Sequence, residues 1–171
     1  MATLTYTSRE EIEVHKFSVL ATFGIPILAI FFQAYVSSHL SFLKLFDIPL
    51  IVTVFFAVSR RNQVAGLLTG CAIGLTQDAL THLPIGIYGI SKTVVGYAAS
   101  SIGVKIDVEN PGSRFLMVFF FTFLHDAIYF IVARYLLFLP GELRFMHELS
   151  AAFANAVLAV PLFSLMDKVK K

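Results

Sequence analysis

Tryptophan is absent from this chain, cysteine occurs once, and charge is scarce: Asp, Glu, Lys and Arg together make up 14% of the residues. Each shortage excludes something. A soluble domain ordinarily carries about 25% charged residues. A chain of 171 residues cannot hide the difference in a larger core, because much of its surface stays exposed. With 57% hydrophobic residues and a mean hydropathy of +0.80, that surface calls for lipid as its solvent. The single Cys71 rules out an internal disulfide and any multi-cysteine metal site. It lies in an apolar run and reads as a small packed residue. A net charge of +2, with no basic stripe interleaved with aromatics, gives no reason to expect nucleic acid as a partner. Without tryptophan, interfacial anchoring falls to Tyr, Lys and Arg. There is no His-Glu-x-x-His, no Gly-x-Ser-x-Gly and no phosphate-binding glycine loop, so no catalytic residue, cofactor or metal site is expected.

What the chain has instead is a series of apolar runs. The first, from Phe17 to Leu43, contains no Asp, Glu, Lys or Arg. A cleavable signal peptide has a shorter apolar stretch, about 7–15 residues, behind a basic start. Here the leader, Ser8-Arg9-Glu10-Glu11-Ile12-Glu13, is as acidic as it is basic, and an uncleaved first span is expected. About 20 apolar residues cross a bilayer as a helix. On that measure six spans are expected: 17–40 (bent at Pro26), 48–59, 62–80, 86–104, 114–139 and 148–166. The second is short, opens at Asp47 and Pro49, closes on Arg60-Arg61, and reads as tilted or partial. The connections are short, leaving no room for a soluble catalytic domain. The expected organisation is all-α: a cytoplasmic segment 1–16, one six-helix transmembrane domain 17–167, and a basic cytoplasmic tail 168–171.

The basic residues orient this scheme. With six spans, both termini share a side with the loops after spans two and four. That side collects nine basic residues: Arg9, Lys16, Arg60, Arg61, Lys105, Arg114, Lys168, Lys170 and Lys171. The other collects two, Lys44 and Arg144. Because basic residues favour the cytoplasmic face, both termini are expected there.

Four charges, Asp78, Lys92, Asp126 and Arg134, fall inside the spans. A helix rises about 1.5 Å per residue. That puts Asp78, Lys92 and Arg134 at one level near the outer ends of spans three to five, with Asp126 and Asn155 nearer the middle. Intramembrane charges need partners. Spans three and four are joined by a short turn through Pro84 and Gly86, so Asp78 and Lys92 are expected to pair. The cluster reads either as buried pairs that fix helix packing or as a substrate or ion pathway. Asp78 and His82 are four apart and can share a face, but two groups do not make a metal site. His125-Asp126 are adjacent on a helix, about 100° apart, and are not expected to act as a pair. The eighteen phenylalanines read as lipid-facing or interhelical packing.

Gly66, Gly70 and Gly74 recur every four residues, which puts a smooth groove on one face of span three where another helix can approach closely. Such a groove receives either a partner's transmembrane helix, the mechanism expected here, or a neighbouring span of the same chain.

The pattern Gly74-Leu75-x-x-Asp78-x-Leu80, then Leu83-Pro84-Ile85-Gly86-Ile87-Tyr88 and Gly96-Tyr97, resembles the bacterial rod shape-determining protein MreD family. The short span from Asp47-Ile48-Pro49 to Arg60-Arg61 is similar to that family's second helix. The close match covers residues 47–104. The resemblance implies a non-enzymatic inner-membrane protein of the cell-elongation machinery that binds the scaffold protein MreC. Through it come the peptidoglycan polymerase RodA and a class B penicillin-binding protein, with MreB filaments on the cytoplasmic side. It also implies a fold resembling the substrate-binding subunits of energy-coupling-factor vitamin transporters. A solute-binding subunit, its ligand contacted by Asp78, Lys92 and Arg134, is therefore the alternative. Those subunits dock through Ala-x-x-x-Ala in the first span; here Ala21, Ala29 and Ala34 have the wrong spacing, and Ala152 and Ala156 lie in span six.

Overall fold

The computed structural model describes residues 17–39, 45–81, 84–140 and 145–169. Six α-helices run in the order α1 Val19–His39, α2 Ile48–Arg60, α3 Gln63–Thr81, α4 Ile87–Gly103, α5 Pro111–Ile131 and α6 Phe145–Asp167. By length and composition, Phe145–Asp167 and the continuous stretch Pro111–Leu136 can each cross a membrane. The Arg144 loop and the His82–Leu83 corner, both part of the expected topology, lie outside the described residues.

Local chemistry sets the helix ends. Asp47 caps α2, its Oδ1 accepting from the Leu50 amide at 2.9 Å, and Pro49 fits the first turn, where no intrahelical donor is needed. Arg61, left-handed at φ 50°, closes the helix while its amide donates to the Ala57 carbonyl. Asn110 caps α5 by accepting from Gly112 at 2.8 Å, with Pro111 as the first helical residue. Gly86 enters α4 at φ 115°, a conformation open to glycine and strained for residues with a Cβ. The fifth helix does not run on regularly to residue 139 as expected. It passes at Val132 into a π-helical turn, Val132–Leu136, which carries Arg134.

The short helix sits at the centre. Every residue of α2 from Pro49 to Ser59 is buried, against α1, α3, α4, α5 and α6. A helix apolar on all sides belongs in such a position, and at about 1.5 Å per residue its 13 residues are shorter than a bilayer core of about 30 Å. Its neighbours, not lipid, surround it. Phe55 and Phe56 pack edge-on with Phe17 and Phe163 at centroid distances of 5.0–5.8 Å. Phe23, Phe31, Phe120, Phe138 and Phe153 point outward instead, so the phenylalanines divide between core and outer surface.

The closest approach is between α3 and α4. A Cβ at Gly66 would meet the Gly96 carbonyl, one at Gly70 the Lys92 carbonyl, and one at Gly74 the Tyr88 carbonyl, each inside contact distance. Gly96 reciprocates against Gly66. The glycine groove is therefore filled by α4 of the same chain. The expectation that it receives a partner's helix is corrected: the short link between α3 and α4 makes them neighbours, and α4 has claimed the groove first.

Candidate functional site: a buried charge chain and a polar cavity

Lys92 projects from α4 into the protein and is fully buried. Its partner is Asp47, not Asp78. Nζ lies 2.5 Å from Asp47 Oδ2 and 3.3 Å from His125 Nε2. An ammonium only donates, so Nε2 of His125 accepts and the ring proton sits on Nδ1. That proton points at Asp126 Oδ1, 3.0 Å away. The adjacent residues His125 and Asp126 thus do pair, contrary to expectation, because side-chain torsions make up the angle between their helical positions. The result is a continuous chain, Asp47–Lys92–His125–Asp126, linking the start of α2 to α4 and α5. Tyr88 stacks on His125 at 5.8 Å with an interplanar angle of 7° and places its ring 4.9 Å from the Lys92 ammonium.

Asp78 has a separate task. Its two oxygens accept from the amides of Gly86 at 2.8 Å, Tyr88 at 3.0 Å and Gly89 at 3.1 Å, groups left without intrahelical partners at the start of α4. A carboxylate there also meets the positive end of the helix dipole. The expected Asp78–Lys92 ion pair is corrected on this ground: the turn brings Asp78 to the backbone of α4 before it reaches any side chain one turn further along.

Asn155 joins the charge chain from α6. Its Oδ1 accepts from the Asp47 amide at 2.8 Å, and its Nδ2 donates to the carbonyls of Leu45 and Ala151. Gln33 of α1 braces the same loop, donating to the Phe46 carbonyl at 2.7 Å and accepting from the Ile48 amide at 3.3 Å.

Above this chain lies a cavity of about 880 Å³. Its walls come from the ends of the helices that carry the α1–α2, α3–α4 and α5–α6 connections, the end opposite the termini. The residues follow helical spacing. Thr122, Asp126 and Tyr129 line it from α5, Gln77 and Thr81 from α3, and Glu148, Ala151 and Asn155 from α6. Arg134, delivered by the π-helical turn, is also in the wall. Of the expected polar set, the structure brings Asp126, Arg134 and Asn155 to one cavity, sets Lys92 behind its wall, and leaves Asp78 outside it. Sequence reasoning passed over Gln77 and Thr122, took Asp47 only as the opening of a span, and set His125 aside with Asp126. Asp47 carried a signal, as a charge at the mouth of a fully apolar helix; the three α3 and α5 residues carried none beyond polarity.

At the other end, Arg114 ties α5 to α6. It donates to the Val108 carbonyl at 2.8 Å and to Asp167 Oδ2 at 2.5 Å. Among the described residues no group of three or more His, Cys, Asp or Glu is placed to hold a metal ion.

The chain matches the family described as rod shape-determining protein MreD over residues 14–169. Neither curated proteins nor solved structures gave a match.

Proposed function

The chain belongs to the rod shape-determining protein MreD family, and from that premise we propose that it is a non-enzymatic, multi-pass component of the bacterial cell-elongation machinery. It resides in the inner membrane and binds the scaffold protein MreC. Through MreC it helps organise peptidoglycan synthesis by RodA and its class B penicillin-binding protein, with MreB on the cytoplasmic face. The observation that carries this reading is the extent of the match, which runs from before α1 to beyond α6. The match favours shape determination over solute transport.

In this reading the six helices form one multi-pass bundle, the short α2 sheathed by the others and spanning only part of the bilayer core, and both termini are cytoplasmic. The nine-to-two distribution of basic residues supports that orientation. Reporter fusions at Lys171 and in the turn at Pro84 are expected on opposite sides; the same side for both refutes the six-span arrangement. The Asp47–Lys92–His125–Asp126 chain, with Asn155, fixes how the helices assemble. The Gly66, Gly70 and Gly74 face serves the α3–α4 contact, so partners meet the outward helix faces. Recovery of MreC with the tagged chain from its own membranes tests the proposal.

A further inference from the structure

The cavity holds more hydrogen-bond acceptors than the protein itself uses. Gln77 Oε1 and Thr122 Oγ1 are buried without a hydrogen-bond partner, on residues 4% and 2% exposed that both line the cavity. Buried polar atoms are nearly always satisfied, by protein, water or ligand. Asp126 and Glu148 line the same space and share a side-chain hydrogen bond, while His147, also in the wall, lies 3.5 Å from Glu148. Lys92 lies behind the wall and is committed to Asp47. A hydrogen-bonded carboxyl pair, an amide oxygen and a hydroxyl oxygen therefore belong to residues lining one space, with Arg134 and His147 also in its wall.

We propose that this cavity binds a primary ammonium group. An ammonium brings three donors and a positive charge and needs no acceptor of its own, which matches a carboxyl pair and two unpartnered oxygens. The volume suits a small molecule or a lipid headgroup, since ligand sites run to about 300–1,000 Å³. Two sources supply the same chemistry: a soluble amine, or the headgroup of an aminophospholipid, whose phosphate would lie toward Arg134. Phe138, Phe145 and Met146, near the mouth in sequence and strongly exposed, offer apolar surface to acyl chains.

The test uses the full chain in non-ionic detergent, followed by native mass spectrometry and thermal unfolding. Dioleoyl-phosphatidylethanolamine, dioleoyl-phosphatidylcholine, dioleoyl-phosphatidylglycerol and ethanolamine are added separately. The ethanolamine lipid is expected to bind at least about tenfold more tightly than the choline or glycerol lipids, because a charge-assisted hydrogen bond is lost with the N–H donors. Binding of the lipid alone assigns the source to the membrane; binding of ethanolamine as well shows that the ammonium suffices. Glu148→Gln and Thr122→Val are each expected to weaken binding about tenfold. Thr122→Val removes an unpartnered hydroxyl, so it should leave the unfolding temperature of the ligand-free protein unchanged or higher. The proposal is overturned if the choline or glycerol lipid binds as well as the ethanolamine lipid. It is equally overturned if neither amine binds, or if both variants bind like the parent. None of these outcomes depends on whether the chain binds MreC.

Discussion

Replacing Lys92 with methionine probes the charge chain most sharply. Methionine fills similar volume but leaves Asp47, whose side chain is 18% exposed, facing His125 without its cation. Breaking a buried pair from one side costs about 3–5 kcal/mol, because the remaining charge is uncompensated. For a domain of this size each kcal/mol moves the unfolding temperature by about 2–4 °C, so Lys92→Met should unfold roughly 6–20 °C below the parent. Adding Asp47→Asn removes the stranded charge, and asparagine still caps a helix. The double variant should therefore recover part of the loss, with a coupling on the order of 2 kcal/mol. Thermal unfolding of the four proteins in one detergent supplies the cycle. The same cycle with Asp78→Asn in place of Asp47→Asn should be additive within about 0.5 kcal/mol, since Asp78 bonds backbone amides and not Lys92. Unfolding of Lys92→Met at the parent temperature, or coupling to Asp78 in preference to Asp47, refutes the assignment.

Three further outcomes follow from the packing. Gly70→Leu drives a side chain into the Lys92 backbone, so it should lower the amount of folded protein in the membrane; normal abundance with selective loss of a partner would show that the groove faces outward. Asp78→Asn keeps one acceptor oxygen where three amides now bond to two charged ones, and should cost about 2 kcal/mol, read as a lower unfolding temperature. Arg114→Lys cannot serve the Val108 carbonyl and Asp167 together, so it should destabilise nearly as much as Arg114→Ala in proteolysis of the solubilised protein; full rescue by lysine would show that charge alone matters there.

The helices were largely legible in the sequence because apolar runs mark them and polar caps end them. Asp47 with Pro49 puts the start of α2 where the structure has it, whereas α5 begins at Pro111 on the Asn110 cap, ahead of the expected start at 114. The second run reads from the sequence as a tilted or partial span, whereas the 13-residue helix lies buried among the others, a position suited to a helix apolar all round. The partner of Lys92 was not legible. Charges were sought inside the spans, whereas Asp47 lies in a connection folded back among them. Spacing located the glycine face but said nothing of which helix fills it, which depends on the short α3–α4 link. The π-helical turn at Val132–Leu136 left no mark in the hydropathy, and the unpartnered oxygens of Gln77 and Thr122 emerge only when three helices converge.

The most direct test of the account is the amount of MreC recovered with the tagged chain, normalised to the chain's own abundance in the same membranes. Recovery should be high for the parent and should persist for Thr122→Val, which touches only the cavity. It should fall in proportion to abundance, and no further, for Gly70→Leu. An abundant, folded parent chain that brings down no MreC would contradict the assignment to the cell-elongation machinery.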